Sequence, residues 1–494
     1  MMRLNELLSA AELDIAGRGG SDNPVISDIV YDSRRVKPGA IYVAIPGINV
    51  HGDVFIESAI KNGAAAVVSE NSHPQISVPW IALKDIRKAP GALGRALWGI
   101  DMSKIISAGI TGTNGKTTTA YLFKNMFDRL VEKRYSWMFG TVENYLGDER
   151  IEATHTTPES VDIFRHINES SAKPKAVAME VSSHSLALKR IAGMEFDLAV
   201  WTNLTQDHLD FHKTMDEYYA AKKSLCVDYL KHNGCAVINI DDEYGKRLCG
   251  ELKAKRVLTY GKSGDADVRI VSQKCDWNGS TVDIVYNGSE YSFRSMLRGA
   301  FNIYNMTAMI AGGFALGVEP GMIADALINT SGVSGRMDKV DIDAPFTAVV
   351  DYAHTPDALV NVLKTSAELT SGRLICVFGC GGDRDKTKRP LMAKAVAENC
   401  DMAVVTSDNP RSEKPEAIIN DIVKGIPLDF PYAAVTDRRE AVSRALHSAR
   451  PGDCVVIAGK GHETYQEIGG IRHHFDDREE VVKLYGEMVK NNVA

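Results

Sequence analysis

Of the eight cysteines in this 494-residue chain, no two stand in a CxxC pair. Scattered thiols argue against a disulfide framework and against a structural zinc site. Cys376 and Cys380, the closest two, read as structural. Nor is there an uninterrupted apolar stretch long enough to span a bilayer, and Met1–Ala10 lacks the continuous apolar core of a signal peptide. The expected location is the cytoplasm, with no membrane partner. Excess positive charge is missing too: 57 Lys and Arg stand against 64 Asp and Glu, a formal net charge of −7 with both signs interspersed and no long basic tail. That balance argues against wholesale nucleic-acid binding and leaves local basic sites open.

What the chain does have is length and apolar content. Its 44% apolar residues suffice for several cores, and its length suits roughly three domains of about 150 residues. The expected class is α/β: a small N-terminal α/β domain over 1–103, a central domain with a mostly parallel sheet over 104–338, and a third α/β domain over 339–494.

The central domain opens on Gly109-Ile-Thr-Gly-Thr-Asn-Gly-Lys-Thr-Thr-Thr119, between the apolar Ile105-Ile106 and the helix-like Ala120–Phe127. A strand, a glycine-rich turn and a helix starting at Lys116-Thr117 aim unpaired N–H groups and a positive dipole end at one point, which suits phosphate. Lys116 adds a cation, and the Thr117 hydroxyl can hold Mg²⁺. The general P-loop wants a glycine at position 110, which is Ile here. The loop is therefore read as an ATP site of a less common form.

Strand-like runs at Lys175–Val181, Asp197–Asn203 and Cys235–Ile240 continue the alternating pattern of a parallel sheet. Val268–Phe293 alternates and carries Asn287-Gly288, a hairpin signal that predicts an antiparallel edge or side sheet. In the third domain the strand candidates are Thr347–Asp351, Arg373–Phe378, Met402–Thr406, Tyr432–Val435 and Cys454–Ala458. Polar segments follow directly on strands at Asp351–Pro356, Gly379–Lys386, Ser407–Arg411 and Gly459–Glu463. Ligands bind outside the carboxyl ends of such strands, so one crevice can collect all of them. In the N-terminal domain Ser33, Arg34 and His51 stand in polar clusters beside strands or turns. Surface turns account for them as well as contact with an anion such as a diphosphate does.

Glu180 ends an apolar strand, where an unpartnered carboxylate is costly. Facing the phosphate loop, it is a natural Mg²⁺ ligand, although a strand-end Glu can also reach solvent. Asn203–His212 packs histidines and carboxylates densely enough to suggest a cation or phosphate contact around His208. On composition alone, Tyr218–Leu225 reads as an amphipathic helix with exposed lysines. Pro410 fixes the backbone before Arg411, placing a planar, always charged fork at a strand end, which suits bidentate binding of a carboxylate.

Together these segments resemble the ATP-dependent Mur ligases of peptidoglycan synthesis, in the branch that adds the third amino acid. The resemblance spans essentially the whole chain and also includes Asp32-Ser-Arg34, Thr156-Thr157-Pro158, Ala221-Lys222, Phe301–Asn305 and Gly335-Arg336-Met337. It implies an N-terminal domain for a UDP-sugar, contacted through Ser33, Arg34, His51, Thr156, Thr157, Ser182 and Arg190. A central ATPase domain would follow, then a mobile Rossmann-like C-terminal domain for the incoming amino acid. It implies that Gly112, Thr113, Asn114, Gly115, Lys116, Thr117 and Thr118 engage ATP, with Asn302 and Asn305 at the base and Arg336 and His354 reaching the nucleotide. Thr117 would engage Mg²⁺, Glu180 would hold one magnesium and His208 would help hold a second, with Lys222 as a carbamate able to stabilise Mg²⁺. The matching lysine is carbamylated in the family, which replaces the exposed-helix reading. Leu188 departs from a Gln often found in relatives, and Leu225-Cys-Val227 departs from the common Leu-Phe.

The reaction implied is amide-bond formation through an acyl phosphate, adding meso-diaminopimelate to UDP-N-acetylmuramoyl-L-alanyl-D-glutamate. Arg389, Asp408, Asn409, Pro410, Arg411, Gly459 and Glu463 would contact the amino acid, and a monomer is expected. An L-lysine-adding homologue and a folylpolyglutamate-type ligase are the enzyme alternatives. A nucleotide-switched regulatory protein is the non-enzyme alternative, and it leaves Arg411, Glu463 and Lys222 without a role.

Overall fold

The computed structural model describes every residue except 48, 49, 154, 254, 331–334, 336 and 494, with 210 and 491–493 described by backbone alone. The chain divides into two compact bodies. The first comprises Met1–Ser272, Val282–Phe293 and Tyr304–Asn329, and the second Gln273–Thr281, Arg294–Ile303 and Thr330–Ala494.

Three main sheets carry the α/β class expected from the sequence. The N-terminal sheet has five strands in the order Ile15–Gly19, Trp80–Leu83, Ala66–Ser69, Ala40–Val43 and Asp28–Val30, parallel except at Ile15–Gly19. The central sheet has eleven, with Ala176–Glu180, Ile106–Thr111, Phe196–Trp201, Leu230–Asn239 and Arg256–Gly261 as its parallel middle. Ile106–Thr111 is buried along nearly its whole length, as a strand covered by helices on both faces must be. The helix Lys116–Val131 packs onto it through Ala120, Phe123, Met126 and Phe127, the recurring spacing of one helical face. A core cluster gathers Trp137, Phe139, Phe164, Phe196 and Trp201 on the sheet. Full burial of one large apolar side chain stabilises by about 1.5–3 kcal/mol.

The Val268–Phe293 run forms the strands Val268–Asp276, Gly279–Tyr286 and Ser289–Ser295 at the edge of this same sheet, not a separate one. Asn287 and Gly288 both take positive φ, 50° and 77°, as a two-residue type I′ turn demands.

The second body holds a six-stranded sheet in the order Asp338–Lys339, Thr347–Asp351, Cys454–Ala458, Leu374–Phe378, Met402–Val405 and Tyr432–Ala434. All pairs but the first are parallel. The chain therefore leaves Thr347–Asp351, Leu374–Phe378, Met402–Val405 and Cys454–Ala458 at one edge. The four polar segments named from the sequence all begin there.

Candidate active site

The phosphate loop is built by close approach. Gly112 has φ 149°, and a Cβ there would stand 1.9 Å from Thr202 Oγ1. Thr113 N donates to Asn203 O at 2.8 Å and Asn114 N to Asn203 Oδ1 at 2.9 Å. Gly115 turns left-handed at φ 84°, and Lys116 starts the helix. Lys116 Nζ folds over the loop, donating to Gly112 O at 3.0 Å and Thr113 O at 2.8 Å. Thr118 lies half-buried in the first turn. The N–H groups of that turn are the ones an α-helix leaves without intrahelical partners. Asn305 is buried against the loop itself: its Oδ1 accepts from Thr119 Oγ1 at 3.3 Å and would lie 2.4 Å from a Cβ at Gly115.

Glu180 is fully buried and reaches no solvent, which corrects the bland reading of a strand-end carboxylate. Its neighbour strand is Ile106–Thr111, in register Glu180↔Ile110, so the carboxylate points at the loop's helix. It accepts from Thr117 Oγ1 at 2.9 Å, Thr141 N at 2.8 Å and Thr141 Oγ1 at 3.0 Å. Thr141 escaped the sequence reading. The available signal was Gly140-Thr141 directly after the apolar Trp137-Met-Phe139, since a Cβ at Gly140 would meet Glu180 Oε1 at 2.5 Å. Thr141 Oγ1 also lies 3.3 Å from Thr156 Oγ1. Thr157 Oγ1 donates to the backbone Glu180 O at 2.8 Å and accepts from Ser182 N at 3.1 Å, so Thr157 and Ser182 tie to the strand end at Glu180, and Thr156 reaches its carboxylate only through Thr141.

Lys222 is buried, which overturns the expectation of an exposed lysine on that helix; Lys223 takes the outward position and pairs with Glu251 at 2.7 Å. Lys222 Nζ donates to Gly112 O at 2.8 Å and lies 4.8 Å from the centre of the Tyr218 ring. Burial, and then the neighbouring Lys116 charge, push its amine well below the ordinary lysine range. His208 caps the Leu209–His212 turn at φ 53°, exposed, with its ring 4.8 Å from that of His184 and 6.1 Å from that of Tyr218. Tyr218 OH lies 3.2 Å from Thr113 Oγ1, tying this helix to the loop.

The donors fit Mg²⁺. Thr117 and Glu180 offer hard oxygens 2.9 Å apart at a helix N-terminus, and Mg²⁺ takes one or two protein ligands while phosphates and waters supply the rest. Among the described residues no group of three or more His, Cys, Asp or Glu converges as a metal cage. His208, a nitrogen donor, suits that ion less well than the oxygens do.

Of the residues expected to contact a UDP-sugar, Ser33 is buried, while Arg34 is exposed and forks onto Asp32 at 2.9 and 2.8 Å. His51 Nδ1 accepts from Asp53 N, and its Nε2 lies 3.5 Å from Glu70. Arg190 Nε lies 3.6 Å from Glu159. Burial pushes the Glu159 carboxyl up to about 7 against the opposing charges of Arg190 and Arg87. Leu188 is half-buried at the end of the Ser183–Ala187 helix.

In the second body Asp351 accepts from Met337 N at 2.7 Å and Ala353 N at 2.8 Å. His354 is exposed, its ring 4.6 Å from that of Tyr352. Asn302 Nδ2 donates to Arg298 O. Arg336 lies outside the described residues. Arg389 is buried with its fork on Glu413 at 2.8 and 3.2 Å and on Asp421 at 3.0 Å. Glu413 in turn accepts from Asp383 N, so Arg389 braces the Gly379–Lys386 loop.

Asn409 Nδ2 donates to Glu463 Oε2 at 2.8 Å. Gly459, at φ 117°, lets Asp408 come close, since a Cβ there would stand 2.7 Å from Asp408 Oδ2. Pro410 is buried, and Arg411 itself holds φ 51°, a strained backbone for a non-glycine residue. Its NH1 donates to Gly382 O at 2.7 Å. A hairpin of Tyr465–Ile468 and Ile471–His474, absent from the sequence reading, clamps this motif: Arg411 N donates to Glu467 O, Gly469 N to Arg411 O, and Gln466 Nε2 to Asp408 O.

Comparison with known proteins agrees along the chain. Models described as "Mur ligase family, catalytic domain", "Mur ligase middle domain" and "Mur ligase, glutamate ligase domain" match residues 25–96, 110–313 and 335–461. A UDP-N-acetylmuramoyl-L-alanyl-D-glutamate–2,6-diaminopimelate ligase of Gloeobacter violaceus is 43% identical over 483 residues, 97% of each chain. The protein of that name from Solibacter usitatus is 42% identical over 492 residues, 98% of this chain and 99% of the other. A solved structure of a ligase so named has a TM-score of 0.73 at 33% identity, covering 98% of this chain and 99% of that one. A ligase of Thermotoga maritima solved with ADP shares the fold at 18% identity and a TM-score of 0.61, covering 94% of this chain and 98% of that one. The chain belongs to the Mur ligase family.

Proposed function

We propose that this chain uses ATP to join meso-diaminopimelate to the D-glutamate carboxylate of UDP-N-acetylmuramoyl-L-alanyl-D-glutamate, releasing ADP and phosphate. The observation that carries the reading is the Asn409–Glu463 contact at 2.8 Å with Arg411 two residues on. An anionic group for an ammonium and a cationic fork for a distal carboxylate then stand at the same edge of the sheet, after the strands Cys454–Ala458 and Met402–Val405. L-Lysine lacks that carboxylate.

The substrate carboxylate attacks the γ-phosphate, and the resulting acyl phosphate is attacked by the amine through a tetrahedral intermediate that expels phosphate. Lys116 and the first-turn N–H groups stabilise charge spreading over the transferred group. Mg²⁺, held by Thr117 and Glu180, neutralises phosphate charge when bound. The neutral Lys222 amine adds CO₂ and loses a proton to give a carbamate, turning a buried base into an oxygen donor beside the loop. Thr156, Thr157, Ser182 and Arg190, with Ser33, Arg34 and His51, are assigned to the UDP-dipeptide. Asn305, Asn302, Arg336 and His354 are assigned to the nucleotide. The UDP-sugar and ATP are both cytoplasmic substrates, which supports that location. Among the described residues no helix is long and apolar enough to cross a membrane.

Phosphate release should require ATP, the UDP-dipeptide and meso-diaminopimelate together. Arg411→Ala should lose most of the discrimination against L-lysine, measured as the ratio of kcat/KM values. Equal activity of the unmutated protein with both amino acids would overturn the specificity.

A further inference from the structure

Beneath the amine-substrate residues the second body buries more charge than those residues account for. Lys460, between Gly459 and Gly461, has no exposed surface. Its Nζ lies 3.2 Å from Asn409 Oδ1, 3.3 Å from Glu463 Oε2 and 3.8 Å from Asp408 Oδ1. Asp408 Oδ1 is buried with no hydrogen-bond partner among the described residues, so Lys460 is the cation that offsets it. Deeper still, Arg438 pairs with Asp477 at 2.7 Å, both fully buried, and donates to Ser407 O at 3.3 Å and Ala458 O at 3.1 Å. Arg438 thus ties together the ends of the two strands that launch Asp408–Arg411 and Gly459–Glu463. The fields of Asp408 and Glu463 reach it as well as that of Asp477.

Two cations here face three carboxylates. One negative charge remains, which matches a single ligand ammonium. Burying an ammonium group is costly unless it is paired and hydrogen-bonded, and apolar residues of similar volume would fill the space at least as stably. Lys460 instead touches both side chains that would face the ligand while having no surface of its own to touch it.

We propose that Lys460 is the positioning residue for amino-acid recognition. It holds the Glu463 carboxylate and the Asn409 amide in the orientation that receives the ligand's ammonium, and it sets the residual charge of the cluster at one negative. This rests on reading Glu463 and Asp408–Arg411 as the amine-substrate site.

The test is steady-state kinetics of Lys460→Met, Glu463→Gln and the double variant, with KM measured separately for meso-diaminopimelate, ATP and the UDP-dipeptide. Lys460→Met should raise the KM for diaminopimelate about 10- to 100-fold, the worth of charge-assisted hydrogen bonds. The other two KM values and kcat should stay within about threefold. Adding Lys460→Met to Glu463→Gln should change that KM little further, because the side chain that Lys460 positions is already gone. The double variant also removes one of the two carboxylates that Lys460 offsets and returns the cluster to one negative charge, so its KM for diaminopimelate, set against that of Glu463→Gln, decides the matter if the single variant does not fold. Fully additive effects, an unmoved KM for diaminopimelate, or equal rises in all three KM values would overturn the proposal. Wild-type protein that turns over ATP without needing diaminopimelate would instead overturn the functional reading beneath it.

Discussion

Burial decides what the Lys222 amine is. Its depressed folded-state titration means that the folded chain holds fewer protons than the unfolded chain at any pH between the lowered value and the ordinary 10.5. Stability should therefore rise with pH through that window and fall as pH drops toward the folded value. In CO₂-depleted buffer, thermal melting should show this slope for the wild type, and Lys222→Met should flatten it. The same variant should lose about 10- to 100-fold in kcat, the usual consequence of removing a group that supports a metal's ligands, and added bicarbonate should raise wild-type turnover only. Composition alone made this lysine look exposed. The signal against that was its place in the stripe Tyr218, Lys222 and Leu225, one buried face at helical spacing.

At the scale of elements, the strand that ends in Glu180 and the loop that begins at Gly112 were legible because each carries its own punctuation. An apolar run ends in a glycine-rich turn or in a lone carboxylate. The Asn287-Gly288 hairpin was legible for the same reason. The clamp formed by Tyr465–Ile468 and Ile471–His474 was not: its strands carry no apolar alternation, and only Gly469-Gly470, at φ 58° and 80°, marks the turn. Nor does sequence spacing reveal that Arg389 spends its fork on Glu413 and Asp421, since that depends on two helices meeting. Glu159, at the start of the Ser160–Glu169 helix, has its carboxyl raised from 4.5 to about 7, so the folded chain keeps a proton that the unfolded chain gives up in that interval. Its contribution to stability is full below 4.5 and is lost as pH rises through about 7. Glu159→Gln, measured by chemical denaturation, should flatten this slope and leave the protein about 1–3 kcal/mol more stable than wild type on its alkaline side.

Across the whole molecule the phosphate loop and the residues proposed for the amine fall in different bodies, although Asn302 and His354, proposed for the nucleotide, lie in the second. Gly112–Thr118, Glu180 and Lys222 belong to the first, and Asp408–Arg411, Lys460 and Glu463 to the second. If the first supports acyl-phosphate formation and the second supplies the amine, the two steps should be separable by substitution. With ATP labelled by ¹⁸O in its β,γ-bridge, the UDP-dipeptide alone should promote scrambling of the label, because reversible formation of the acyl phosphate frees the β-phosphate of ADP to rotate. Arg411→Ala should leave that exchange intact while losing amide formation from diaminopimelate. Lys116→Ala should lose both, since charge on the transferred phosphoryl group would go unopposed. Exchange that demanded diaminopimelate, or that vanished with Arg411→Ala, would mean that the amine-binding residues also take part in phosphoryl transfer, and the division of labour between the bodies would fail.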